Sequence, residues 1–95
     1  MYLSIHLGEY VISVGAGWLD SFGKISSLVE VRGESINACQ IACNNYNDCV
    51  AFTFVSTEQR CDLKNSQQAV TLGDFPGTVI SGNRQSGMHM GVHSP

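Results

Sequence analysis

All four cysteines of this 95-residue chain fall in one run, CQIACNNYNDCVAFTFVSTEQRC, from Cys39 to Cys61. Four sulfurs placed so closely can hold a metal, carry out redox chemistry, or crosslink a core too small to hold itself. Zinc sites pair one closely spaced cysteine couple with a second. Cys39 and Cys43 could form a first couple, but Cys49 and Cys61 stand twelve apart, and His6, His89 and His93 lie near the chain ends. The spacing argues against zinc. No C-x-x-C turn precedes a helix, which argues against a redox centre. Structural disulfides are the expectation, with no cofactor and no metal ligand assigned.

The pairing follows from the local period. Ser35 is a good N-cap, and Glu34 stands where a helix terminus is positive. From there Ile36, Cys39, Ala42, Cys43 and Tyr46 recur at spacings of three and four, which predicts one face of a helix. Cys39 and Cys43 then lie one turn apart with parallel Cα–Cβ directions, poorly placed to bond to each other. Cys43, near the helix end, is close to Cys49, which leaves Cys39 for Cys61. Loop-closure entropy assigns about 3.4 kcal/mol to the longer bridge and about 2.4 kcal/mol to the shorter one, before allowing for their overlap. Such sums rival the net stability of a small domain.

Composition narrows the partners. At 43% hydrophobic and 14% charged, the chain is that of a folded protein. A net charge of −3 argues against nucleic acid, polyanionic glycans and anionic membranes. Its five basic residues are scattered, apart from Arg60 and Lys64 flanking Cys61, where a small basic patch is conceivable. No stretch approaches the roughly 18–20 apolar residues of a membrane-spanning helix. The opening MYLSIHLGEYVISVGAGWLDSFG lacks a basic leader and makes a poor secretory signal. There is no N-x-Ser/Thr glycosylation site.

Around the cysteine run, alternation predicts strands at YLSIHL, at Tyr10–Val14 and at Ile25–Arg32. GAGWLDSFG, with three glycines, reads as loop. After the helix, NNYND is a stop signal and VAFTFV, Val50–Val55, a strand. STEQ is a hairpin turn leading to a partner strand at Arg60–Lys64. Asn65–Gln68 reads as a polar loop and GDFPG as turn-rich, with a closing strand at Thr78–Ser81. RQSGMHMGVHSP has no apolar period and reads as a frayed tail. The order predicts an α+β fold, an antiparallel β-sheet cradling a single α-helix and stapled by disulfides. Three regions follow: an extra arm or strand over 1–9, a domain over 10–84 and a tail over 85–95.

The run Cys39-x₃-Cys43-x₅-Cys49-Val-Ala-Phe52-Thr-Phe54-x₆-Cys61-Asp-Leu63-Lys64, followed by PGTVISGNR, resembles the PAN/apple domain family in its shorter four-cysteine form. The resemblance implies a five-stranded antiparallel sheet around one helix, with the same nested bridges. It also implies a secreted, non-enzymatic module that binds a protein or carbohydrate.

The remaining residues are weighed against that expectation. No His stands in a Ser/His/Asp or Cys/His context, so no catalytic residue is assigned. His89 and His93 could clasp a metal only on a helix, which Gly91 opposes. Asp20, Glu34, Asp48 and Asp74 each sit beside a turn or helix start, where capping accounts for them. A carbohydrate site would use an exposed aromatic platform, and Trp18 in its glycine-rich segment is the first candidate. The competing expectation is that Trp18 covers an edge of the core. Tyr46, with Asn44, Asn45 and Asn47, is a second polar–aromatic cluster. Phe52 and Phe54 are expected to pack under the helix. The candidate ligand residues are therefore Trp18, Tyr46, Asn45, Arg60 and Lys64. A different class of function is self-assembly, in which the apolar alternating segment Met1–Val14 adds a strand to a neighbouring copy.

Overall fold

A computed structural model describes residues 3–7, 10–75 and 79–84. The expected tail, with His89 and His93, lies outside the described residues, as does Thr78. In chain order the elements are β1 (Leu3–Leu7), β2 (Tyr10–Val14), β3 (Ala16–Leu19), β4 (Val29–Arg32), α1 (Ile36–Asn44), β5 (Ala51–Val55), β6 (Arg60–Lys64), β7 (Thr71–Asp74) and β8 (Val79–Arg84). Six strands form one antiparallel sheet in the order β1-β2-β8-β5-β6-β4, while β3 and β7 pair separately as a two-stranded ribbon. The fold is the expected α+β arrangement, with two departures. The main sheet has six strands where five were implied, and its second face carries the ribbon.

The helix starts where a polar side chain can satisfy its free donors. Ser35 Oγ accepts from the Ala38 N–H at 3.1 Å. It ends at Asn44, with Asn45 as C-cap, and Asp48 turns the chain onward in the left-handed region at φ 72°. Nine residues are too few to hold a helix in water without tertiary support. Support comes chiefly from sulfur, since Cys39 and Cys43 are the helix's only buried residues. Cys39 bonds to Cys61 on β6, and Cys43 bonds to Cys49 just before β5.

Strand alternation sorts the sheet into two faces. Towards α1 point Tyr10, Ile12, Phe52, Phe54 and Leu63, which form the buried core together with the four half-cystines. The Tyr10 and Phe52 rings lie 5.6 Å apart, and the Tyr10 hydroxyl donates to Asn44 Oδ1 at 2.7 Å. Gly82 permits this packing, because a Cβ there would collide with the Phe52 ring.

The other face carries Thr53, Val55, Arg60, Asp62, Lys64 and Ser81, and the β3–β7 ribbon covers part of it. Ser81 Oγ donates to the Ala16 carbonyl at 2.7 Å, and the Trp18 indole N–H donates to the Gly82 carbonyl at 3.2 Å. The molecule is therefore layered, with a helix, a sheet and a ribbon.

Four sequence expectations are corrected here. GAGWLDSFG is not all loop, since Ala16–Leu19 is β3. Its Gly17 serves close packing, because a Cβ would stand 2.7 Å from Phe75 Cδ2. Gly73 and Asp74, read as the start of a turn-rich stretch, instead close β7, Thr71–Asp74, and a Cβ on Gly73 would stand 2.9 Å from Leu19 Cδ1. The strand expected over Ile25–Arg32 is confined to Val29–Arg32, because Ser26 and Ser27 bond sideways to Asp20 and Lys64. The closing strand runs on to Arg84, whose guanidinium donates to the Cys43 carbonyl at 2.9 Å.

Candidate functional site

Between the ribbon and the β5–β6 hairpin, on the face away from α1, lies a groove of about 230 Å³. The hairpin turns through a short 3₁₀ segment, Ser56–Glu58, with Gln59 left-handed at φ 50°. That turn sets Val55 beside Arg60 in register. Thr53 and Val55 then form the floor with Arg60, Asp62 and Lys64. Trp18 and Phe75 enter from the ribbon side, Val79 from β8 and Ile25 from the β3–β4 connection. The exposed lining is mainly apolar.

Each polar side chain of the lining is engaged within the protein. The Trp18 backbone N–H donates to Thr53 Oγ1 at 3.4 Å, and Thr53 and Ser81 share a hydroxyl contact of 3.1 Å. Since Ser81 gives its proton to Ala16, Thr53 is the donor of that pair. Arg60 grips Asp62 with two bonds, Nε to Oδ1 at 2.7 Å and Nη2 to Oδ2 at 3.3 Å, and its Nη1 meets Glu58. The Asp62 hydrogen bond, opposed in part by burial, holds the Arg60 pKa above its ordinary value. Lys64 is 0% exposed, and its ammonium donates to the Ser26 carbonyl and, at 3.0 Å, to Ser27 Oγ. Burial pushes its pKa down, although Asp62 and Glu30 pull the other way.

The β3–β4 connection is organised by one carboxylate. Asp20 Oδ1 accepts from the Phe22 N–H at 2.9 Å and the Lys24 N–H at 3.0 Å, while Oδ2 accepts from Ser26 Oγ at 3.3 Å. The bond from Lys24 leads in holding the Asp20 pKa below the usual carboxylate value. The connection carries Ile25 to the groove and leaves it 60% exposed, while Phe22 stands 84% exposed. A second, more polar hollow of about 430 Å³ is lined by Phe22 with Asp20, Ser26, Gln67 and Gln68.

Of the five ligand candidates from sequence, three meet at the groove: Trp18, Arg60 and Lys64. Their surroundings decide between the expectations set out for them, and for Trp18 the core-edge one fits. Trp18 is 7% exposed, so it is a packed wall and not an open platform. The basic patch is absent, because Arg60 is neutralised by two carboxylates and Lys64 is buried. Asn45 and Tyr46 lie apart, at the C-terminal end of α1 on the opposite face, with Tyr46 43% exposed. Pattern reading missed Ile25, Val55, Asp62, Phe75 and Val79. A signal for two of them was there, since Val55 and Asp62 alternate with core-facing Phe54 and Cys61 and so had to share the opposite face.

All four cysteines are consumed in disulfides, which removes thiolate ligation by them. Among the described residues, no group of three or more His, Cys, Asp or Glu side chains gathers, and no helix is long and apolar enough to cross a membrane.

No significant match is found among curated proteins or among solved structures. A family model for the PAN domain matches residues 19–88. That span takes in α1, both disulfides and the β5–β6 hairpin, and more than half of the sequence. The chain belongs to the PAN domain family.

Proposed function

We propose that this PAN domain is an extracellular, non-enzymatic recognition module that binds its ligand, a protein or a carbohydrate, in the groove beside Trp18. PAN domains as a family are interaction modules of extracellular proteins and are generally not enzymes. The observation that carries the reading is the convergence of Trp18, Arg60 and Lys64 on one concave, mainly apolar depression. Concavity, apolar walls and a few fixed polar groups are the usual marks of a binding site. The paired cysteines support an oxidising compartment.

The test uses the intact, oxidised domain against a glycan array and a panel of secreted proteins. Saturable binding that Ile25→Glu weakens at least tenfold, and Tyr46→Ala leaves unchanged, is the expected outcome. Binding that ignores Ile25→Glu and is lost with Tyr46→Ala moves the site to the end of α1.

A second reading is favoured by the position of β1. It is the outermost strand of the main sheet and pairs with β2 over five unbroken positions, from Leu3 opposite Val14 to Leu7 opposite Tyr10. Its sequence, LSIHL, holds no Pro, Lys or acidic residue of the kind that blunts an edge. In this reading β1 pairs with β1 of a second copy. Size-exclusion chromatography at high concentration then shows a dimer or larger species, and deletion of residues 1–8 gives a monomer. A full-length monomer across the same range removes this reading.

A further inference from the structure

We infer that the groove takes a single apolar side chain of a protein partner and does not take a sugar. The inference rests on the reading of the groove as the ligand site, and it chooses between the two ligand classes that the reading leaves together.

The first argument is hydrogen-bonding capacity. A sugar brings several hydroxyls, and each one buried without a partner costs on the order of 1–3 kcal/mol. A carbohydrate site therefore needs side chains whose donors and acceptors are unspent. In this groove every polar side chain of the lining is already committed inside the molecule. The Trp18 indole N–H is given to Gly82, Thr53 to Ser81, Arg60 to Asp62 and Glu58, and Lys64 to Ser26 and Ser27. The capacity left over, the spare N–H groups of Arg60 and lone pairs of Asp62, meets few of a sugar's hydroxyls, and the exposed lining around them is mainly apolar. An apolar group asks nothing of them and gains by leaving water.

Size supplies a second argument. The volume of about 230 Å³ is below the roughly 300–1,000 Å³ of pockets that enclose a drug-sized ligand. One large aliphatic or aromatic side chain, anchored from a larger surface, suits it better.

The surroundings supply that surface. Ile25, 60% exposed, lines the groove, and Phe22, 84% exposed, stands three residues before it on a connection fixed by three hydrogen bonds to the Asp20 carboxylate. An apolar anchor pocket beside rigid exposed hydrophobics, rimmed by the Arg60–Glu58 ion pair, is how protein interfaces concentrate their binding energy. Because the connection is held before binding, little ordering entropy is lost on contact.

The test is a ¹H–¹⁵N NMR titration of the oxidised domain with four probes at millimolar concentration. Two are capped amino acids, N-acetyl-phenylalaninamide and N-acetyl-leucinamide. The other two are sugars, methyl β-galactoside and methyl α-mannoside. The inference expects the capped amino acids to shift the Trp18 indole N–H and the Gly17 and Val55 amides, and the glycosides to leave them still. It expects Ile25→Glu, at an exposed position, to keep the folded spectrum and weaken the capped amino acids at least fivefold. Glycosides that shift the groove signals overturn the inference but leave the groove as the ligand site. If all four probes leave the groove signals unmoved, the groove reading fails and the inference with it.

Discussion

Lys64 shows how far a residue's type can mislead about its role. By sequence it is half of a basic pair flanking Cys61, yet it is wholly buried and ties β6 to the chain at Ser26 and Ser27. An ammonium held out of water has its pKa lowered below the ordinary 10.5, with burial as the main cause. The sign of the linkage follows from proton counting. Between the lowered folded value and 10.5 the unfolded chain binds more protons, so stability rises with pH across that window. Below the window both states are protonated and the cost of burying the charge is fully present. Denaturant unfolding should therefore show stability climbing towards about pH 10, with the slope removed in Lys64→Met. Lys64→Ala, which also leaves a cavity, should lose about 2–4 kcal/mol at neutral pH. If the slope is unchanged in Lys64→Met, the titrating group is another residue.

At the scale of elements, α1 and the bridges are one unit. The helix buries little beyond its two half-cystines, so each bridge acts as packing and as crosslink together. The Cys39–Cys61 bridge spans 22 residues of sequence and Cys43–Cys49 spans 6. The difference in loop entropy is about 1 kcal/mol in favour of the longer bridge. Thermal and denaturant unfolding should rank the Cys39→Ala/Cys61→Ala variant below Cys43→Ala/Cys49→Ala by roughly that amount. Equal losses, or the reverse order, would mean that strain or packing outweighs loop closure.

The elements also divide by how legible they were. Ser35, the period of three and four through Cys43, and the alternation of VAFTFV are local signals, and the helix and the β5–β6 hairpin follow them. β3 and β7 carry no such signal. Their glycines, Gly17 and Gly73, normally punctuate turns, but here they make room for Phe75 and Leu19, contacts that exist only after folding. The groove was hidden for the same reason. It borders that ribbon, so Trp18 and Phe75 could not be placed against Val55 until β3 was known to be a strand.

For the molecule as a whole, one sheet has two unlike faces. Its helix face is closed by sulfur and aromatic packing, with Tyr10, Phe52 and the half-cystines buried against α1. Its ribbon face is only partly covered, which leaves the groove open beside β5 and β6. The family match begins at residue 19, the last residue of β3, yet β2 supplies Tyr10 and Ile12 to the core and β3 supplies Trp18 to the groove. β2 and β3 thus pack into the same core and groove as the matched segment. The crosslinked face and the groove face meet in the β5–β6 hairpin, where Cys61 points to the helix and Arg60 and Asp62 point to the groove.

That division depends on which sulfurs are joined. The most direct measurement is mass-spectrometric mapping of the unreduced protein, digested with chymotrypsin and fragmented between Cys39 and Cys43. The account predicts no free thiol, with Cys39 linked to Cys61 and Cys43 to Cys49. Four free thiols, or Cys39 joined to Cys43 or Cys49, would contradict it.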